Sequence, residues 1–381
     1  MPILPVEAYT SQAWFDREMR EIFSRTWQFA GLIEDVAEPG AYFTVQAGLN
    51  NLLVVRGHDQ RLRAFHNICR HRGTQLLRTA GKAEKAITCP YHDWTYSLNG
   101  QLLSVPAKER EFPDLDIRTV CLKKASVETW NGLLWVHPDP EAELLMDFLA
   151  GAQDRVGPHR VEELIEWPQG RATEVFRANW KIVVENFIDV YHLAHLHSNT
   201  LYMYDHAKAV NGWAGPHYLF WEPHSEDYGA SLKMASPLPL IDHIPEDQLG
   251  AFAPMLFPNI GLSATEGSWS TFHIKPVGPA ETHVEVRTKV ANASGWAFTT
   301  QAARSAMWPG WRRLGGKYDT GDKDDPMASG NFMAEDIYAC EQQQKSLQSP
   351  YFEVGFTSVK GEDSVRQFQR VVAEWLGEDL P

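Results

Sequence analysis

Cysteine is scarce in this chain: Cys69, Cys89, Cys121 and Cys340 are all there is in 381 residues. Four thiols do not build a disulfide scaffold, and a chain this long does not need one. Basic charge is short as well. The 35 Lys and Arg face 49 Asp and Glu, a formal net charge of −14. Nucleic-acid binders carry a basic footprint, so that class is excluded. No apolar run approaches the length of a membrane span. The opening MPILPVEAYTSQAWFDREMREIF has no basic start followed by an apolar stretch, so it does not read as a secretory signal. Internal repeats and low-complexity tracts are missing too. The expectation is a cytoplasmic, reducing location, where paired cysteines point to metal before disulfide.

What is present is globular material. Hydrophobic residues make up 44% and charged residues 22%, enough apolar surface for real cores. A prior of about 150 residues per domain suggests two or three domains. Residues 11–27 read as an amphipathic helix, capped by Ser11 and striped by Trp14, Met19, Ile22, Phe23 and Trp27. From about 40 to 137, short β-rich runs alternate with Gly-containing turns, which predicts a compact all-β module that ends at HPDPEAE. A strand over 171–180 and a long helix over 180–197 follow, then a loop-rich stretch over 201–258. Two strands at 259–275 and 282–291 and helices at 296–312, 330–347 and 361–377 complete the reading.

Inside the β module lie Cys69, His71, Cys89 and His92, spaced Cys-x-His, 17 residues, Cys-x-x-His. Two thiolates and two imidazoles suit zinc or an iron–sulfur cluster. The pairs are mixed within each loop, unlike the usual finger pattern. In a Rieske centre two histidines replace two cysteines on one iron, and two similar loops could supply that set. The segments NICRHRG and CPYHDWTY resemble the Rieske domain of ring-hydroxylating oxygenase α subunits, and TWNGLLWVHPD resembles that domain's closing strand. Asp93 stands where the family more often has glycine, whose backbone freedom is greater; a slight disturbance of the loop is expected.

The predicted helix WKIVVENFIDVYHLAHLH is apolar almost all round, which implies burial. Yet Glu185, Asp189 and His192 fall at i, i+4 and i+7 on one face. Buried acids and imidazoles are costly unless paired or metal-bound, so the stripe signals a site. His195 and His197 follow, the latter about 140° round an ideal helix from His192. Helical geometry alone does not choose among the three histidines. A third donor would come from Asp319, Asp322, Asp324, Asp325, Glu335, Asp336 or Glu341. In NFMAEDIYACEQQQKSL the stripe Met333, Ile337, Cys340 and Leu347 turns Asp336 inward and Glu335 off the stripe.

The spacing Glu185-x3-Asp189-x2-His192-x4-His197 is similar to the mononuclear iron motif of the same oxygenases. The resemblance implies His192, His197 and Asp336 as iron ligands, with the helix loosened near its end and His195 a neighbouring non-ligand. It implies that Asp189 bridges His192 and a cluster histidine across a subunit boundary, the partner subunit's His92. The implied fold is α+β: an N-terminal helical segment over 1–37 packed on the catalytic domain, an all-β Rieske [2Fe-2S] domain over 38–145, and a mononuclear-iron domain over 146–381. That last domain would be a twisted antiparallel sheet surrounded by helices, of helix-grip or START-like form.

The implied activity is that of a terminal oxygenase component. It would take electrons from an NAD(P)H-dependent reductase or ferredoxin, use O2 to mono- or dioxygenate a small organic substrate, and work as a homotrimer. Trp213, Tyr218, Phe220, Trp221, Phe252, Phe257, Trp269 and Trp308 suggest an aromatic substrate, as in aromatic hydrocarbon catabolism, or a cage for a quaternary ammonium. Length and N-terminal pattern also resemble the choline- and carnitine-type branch, which would hydroxylate or demethylate such a cation. Aspartate at 189 leans towards an aromatic compound. A bare Rieske electron carrier has no use for His192, His197 and Asp336. A zinc-stabilised binding protein is the remaining alternative from another class.

Overall fold

The computed structural model describes residues 4–310, 318, 320–322 and 324–378. The candidate ligand Asp319 lies outside the described residues. The chain divides into two compact units, Arg17–Phe148 and Met1–Asp16 with Leu149–Pro381.

The first unit holds a seven-stranded sheet in the order β1-β10-β9-β4-β3-β2-β5 and a three-stranded sheet β6-β7-β8. Its strands are β1 Gln28–Leu32, β2 Ala41–Ala47, β3 Asn50–Arg56, β4 Leu62–His66, β5 Gly81–Lys82, β6 Ala86–Thr88, β7 Thr95–Ser97, β8 Leu102–Ser104, β9 Lys124–Trp130 and β10 Leu133–His137. Leu52, Leu53, Val54 and Val55 of β3 are all buried, so this central strand feeds cores on both faces of the sheet. Asn131 and Gly132 take φ of 48° and 75° in the two-residue turn between β9 and β10, which suits the right-handed strand twist. Gly48 closes β2 onto β3 with φ +56°, and a Cβ there would collide with the Met19 carbonyl.

Residues 1–37 are not one helical segment. Helices α1 Glu7–Thr10 and α2 Gln12–Glu21 are followed by β1, which pairs with β10. Phe29 and Leu32 of β1 are buried, so its apolar content serves a sheet edge.

The second unit is built on a nine-stranded antiparallel sheet, in the order β11-β19-β18-β17-β15-β14-β13 with β12 on β19 and β16 on β14 and β17. The strands are β11 Ile165–Glu166, β12 Ala172–Phe176, β13 Val210–Ala214, β14 His217–Glu222, β15 Ala251–Phe252, β16 Met255–Leu256, β17 Ile260–Ala264, β18 Ser268–Gly278 and β19 Glu281–Val290. Four of them fall in the stretch expected to be loop. The alternation that reveals a strand is missing from HYLFWE of β14, where five of six residues are buried. Its helices include α3 Trp180–Ile188, α4 Leu193–Leu196, α5 Gly295–Ala306, α6 Phe332–Ser346 and α7 Asp363–Leu376. Asn179 caps α3 and Asn331 caps α6, each accepting a main-chain N–H two residues on. Gly377 ends α7 in the left-handed region. No helix among the described residues is long and apolar enough to cross a membrane.

Candidate metal centres

The expected helix over 180–197 is broken, and the break makes the site. Helix α3 stops at Ile188 because Asp189 leaves helical geometry with φ −73° and ψ 117°. Its Oδ1 accepts the Tyr191 N–H at 2.7 Å, a local bond that competes with the next helical one. Its Oδ2 lies 3.2 Å from His192 Nδ1. The single turn α4 then sets the His192 and His197 rings 5.0 Å apart, centroid to centroid.

Helix α6 brings the acids. Asp336 Oδ1 lies 3.0 Å from His197 Nε2 and 3.7 Å from His192 Nε2, and it accepts a bond from Asn186 Nδ2 at 3.1 Å. One donor atom from each of His192, His197 and Asp336 falls within 4.8 Å of the other two. Neighbouring donors on an ion at about 2.1 Å stand about 3 Å apart, so the cluster is close to ligating size. Glu335 is fully buried, and its Oε2 sits 2.8 Å from His197 Nδ1 and accepts Thr200 Oγ1 at 2.8 Å. Its Oε1 has no hydrogen-bond partner.

These contacts fit a divalent cation. Each imidazole turns Nδ1 to a carboxylate, so a neutral ring carries its proton there and aims the Nε2 lone pair at Asp336. Lone pairs facing a carboxylate oxygen repel unless a cation or proton lies between. Burial opposes charge on His197, but Asp336 and Glu335 outweigh it and hold the ring above its ordinary value. Two histidines and one carboxylate with open positions suit ferrous iron.

The other four donors sit on two loops of one design. Cys69 N–H donates to Thr74 O and Cys89 N–H to Trp94 O, each five residues on. Gly73 N–H returns to Cys69 O and Asp93 N–H to Cys89 O, each four residues back. Gly73 and Asp93 hold the same place in the two turns, with φ of 75° and 53°. Aspartate therefore takes the left-handed position expected of glycine, and the loop keeps its hydrogen bonds. Loop one leaves β4 and loop two joins β6 to β7, so each is anchored on paired strands.

Cys69 and Cys89 are buried, and their side chains meet. Burial pushes the Cys89 thiol up, and the adjoining Cys69 adds to the rise. The His71 and His92 rings lie 4.7 Å apart, and His71 stacks on Trp94 at 4.9 Å. The His71 Nδ1 is buried without a hydrogen-bond partner, as an imidazole waiting on a metal would be. Tyr96 accepts the Arg70 N–H at 3.0 Å, which leaves its hydroxyl proton for Cys69 Sγ at 3.3 Å. Among the described residues these four do not form a group with all donor atoms within 4.8 Å, as a single zinc requires. Thiols meet at one end and imidazoles at the other, which fits a two-iron cluster.

Glu185 does not share a face with Asp189 and His192; its carboxylate turns to Tyr9 and Gln369, because the helix ends between them. Glu335 does not point off the stripe: it is more deeply buried than Asp336 and orients His197. Two consecutive acids opening a helix next to an apolar stripe were the signal for it. His195 is exposed and packs on Tyr191. Glu341 accepts the Arg177 N–H, Asp325 caps a short turn, and Asp322 and Asp324 are exposed. Cys121 bonds Gln101, and Cys340 is buried on α6; neither joins a donor group. Of the aromatic residues, Phe257 stacks on Trp375 and Trp269 is fully buried, so both are core.

The family described as the ring hydroxylating alpha subunit (catalytic domain) matches residues 134–378, and the Rieske [2Fe-2S] domain family matches residues 26–128. The glycine betaine monooxygenase oxygenase subunit of Chromohalobacter salexigens is 38% identical over 206 residues, 53% of this chain and 45% of that protein. The large oxygenase component of the naphthalene 1,2-dioxygenase system of Pseudomonas fluorescens is 36% identical over 193 residues, 49% of this chain and 42% of that protein. The chain thus spans about half the length of the curated relatives it matches. A quaternary ammonium Rieske monooxygenase, solved with an inhibitor, superposes with a TM-score of 0.76 at 22% identity, over 98% of this chain and 95% of that one. Its likeness establishes the fold. Loops, donors and family matches agree, and the chain belongs to the ring-hydroxylating oxygenase α subunits, with a Rieske [2Fe-2S] domain and a mononuclear-iron catalytic domain.

Proposed function

We propose that the protein is a terminal oxygenase component that oxygenates a small organic substrate with O2 and electrons from an NAD(P)H-dependent reductase or ferredoxin. The observation that carries this reading is the convergence of His192, His197 and Asp336, backed by Asp189 and Glu335. Bound in the two sites, a Rieske cluster would store single electrons and a ferrous ion would activate oxygen for insertion.

The chain's residues prepare this. Cys69, Cys89, His71 and His92 would hold the cluster, with Tyr96 donating to the Cys69 sulfur. His192, His197 and Asp336 would hold the iron. Glu335 and Asp189 fix the tautomer of each histidine, and Thr200 holds the Glu335 oxygen in place. Burial of His197 and Glu335 keeps bulk water off that side of the centre. The second side of Asp189 would bridge to a cluster histidine of a neighbouring copy in a homotrimer, which closes by rotation.

The substrate is either an aromatic compound or a quaternary ammonium. The second reading has a specific support. It is the 38% identity to a glycine betaine monooxygenase oxygenase subunit over 206 residues. A substrate screen with a surrogate reductase separates the readings. Substrate-dependent oxygen uptake with a hydroxylated ring supports the aromatic one, and loss of an N-methyl as formaldehyde the other. Oxygen uptake with neither class, from fully loaded protein, rejects both substrates.

A further inference from the structure

We infer that Tyr9 is a positioning residue for the mononuclear centre, tying together helix α6, which carries Asp336, helix α3, which leads into the histidine arm, and helix α7, which braces the end of α3. The inference rests on the reading of His192, His197 and Asp336 as iron ligands. Tyr9 lies on α1, outside both family matches, which begin at residue 26. It is buried, and its polar atoms reach three helices. The hydroxyl donates to Glu185 Oε1 on α3 at 2.6 Å and accepts Gln369 Nε2 from α7 at 3.0 Å. Gln369 Nε2 also reaches the same Glu185 oxygen at 3.0 Å. The Tyr9 carbonyl accepts Gln344 Nε2 from α6 at 3.1 Å. Gln344 in turn accepts the N–H of Asn179, the cap of α3, at 2.8 Å.

Helix α6 carries Asp336, α3 leads into Asp189 and His192, and α7 bonds the end of α3. The Glu185 main-chain carbonyl accepts the Asp189 N–H at 2.9 Å, so whatever fixes Glu185 fixes the residue that orients His192. Ser364 of α7 donates to the Ile188 carbonyl at 2.8 Å, beside the same break. Helix α6 carries Gln344 about 12 Å along its axis from Asp336. Asn186 of α3 donates to Asp336, so the register of α3 against α6 is the distance between the histidine arm and the carboxylate. The Lys181 ammonium sits 5.0 Å over the Tyr9 ring, which packs the ring independently of its hydroxyl. Glu185 and Gln369 are not ligands, and no step assigned to the reaction explains so many bonds on one N-terminal tyrosine.

The test is Tyr9→Phe, which keeps the ring over Lys181 and removes one hydroxyl. Iron(II) affinity is measured anaerobically by chelator competition, and the centre's shape by paramagnetic resonance with nitric oxide as probe. Phenylalanine loses the bond to the Glu185 carboxyl, while Gln369 Nε2 keeps its own bond to that oxygen; a net loss of about 0.5–1.5 kcal/mol, fully coupled, weakens iron binding about two- to tenfold. The nitrosyl signal should broaden or shift, and the Rieske absorbance should stay unchanged. Gln344→Met, which cuts the α6 link by a separate route, should act in the same direction. Glu185→Gln keeps an acceptor for the hydroxyl and should leave affinity within about twofold. A lower melting temperature with unchanged iron affinity and nitrosyl signal in both Tyr9→Phe and Gln344→Met overturns the inference and leaves Tyr9 a packing residue. Retention of iron by Asp336→Ala overturns instead the ligand assignment beneath it.

Discussion

Replacing Glu335 by glutamine keeps length and shape but removes a charge that nothing outside the site explains. In the native site its Oε2 lies 2.8 Å from His197 Nδ1 and 2.8 Å from Thr200 Oγ1, and the side chain is fully buried. A hydrogen bond to a charged group is worth about 1.5–3 kcal/mol, against about 1 kcal/mol for a neutral one. The difference, roughly 0.5–2 kcal/mol, falls on the protonation state and aim of His197. Iron(II) affinity should therefore drop by about two- to thirtyfold, overlapping the lower part of the range of about 10–100-fold usual for partners of metal ligands. Thr200→Val removes the second bond to the same oxygen and should cost less, a few-fold. The assay is anaerobic titration against a competing chelator, with the cluster absorbance as an internal reference. Equal affinity in wild type and Glu335→Gln refutes the reasoning, since the charge would then be irrelevant to His197. A drop in Thr200→Val exceeding that in Glu335→Gln refutes the ranking.

Other outcomes follow from the same geometry. Cys69→Ser should abolish the visible Rieske absorbance; its survival removes Cys69 from the cluster. Asp189→Asn should keep both metals yet slow reoxidation of the reduced cluster on mixing with substrate and oxygen, and normal reoxidation in stopped flow sinks the bridging role. Asp93→Gly relieves a left-handed aspartate and should raise the stability of the first unit by up to about 1 kcal/mol in chemical unfolding, with no gain contradicting the strain argument. Burial raises the Glu185 carboxyl from 4.5 to about 7 against the pull of its bonds to Tyr9 and Gln369. Its contribution is present below about pH 4.5 and lost as pH climbs through about 7. Glu185→Gln should therefore gain on wild type across that window by roughly 3 kcal/mol at most; parallel unfolding curves from pH 4 to 8 would contradict it.

Much of the site could be read from residues alone, for reasons the structure makes plain. The two cluster loops are short and strand-anchored, so their donors are fixed by local spacing; even Asp93 was visible as the odd residue in a glycine place. The mononuclear site mixes scales. His192 and His197 are five residues apart, but they meet because Asp189 bonds the Tyr191 N–H and ends α3. Periodicity carries smoothly through that point and hides the break. Glu335 was misjudged for a related reason: a stripe argument weighs apolar residues, and its burial depends on His197, 138 residues away. Within 201–258, burial on both faces of β14 erases its alternation, and β15 and β16, two residues each, are too short to show any. Strand β1 was hidden because its partner, β10, lies about 100 residues on, where no local pattern shows the pairing.

The most direct test of the central claim is metal and sulfide analysis of anaerobically loaded protein, paired with paramagnetic resonance of its reduced form. The account predicts about three irons and about two acid-labile sulfides per chain, with a Rieske signal lost in Cys89→Ser and one iron lost in Asp336→Ala. A colourless protein, or zinc in both places, contradicts it.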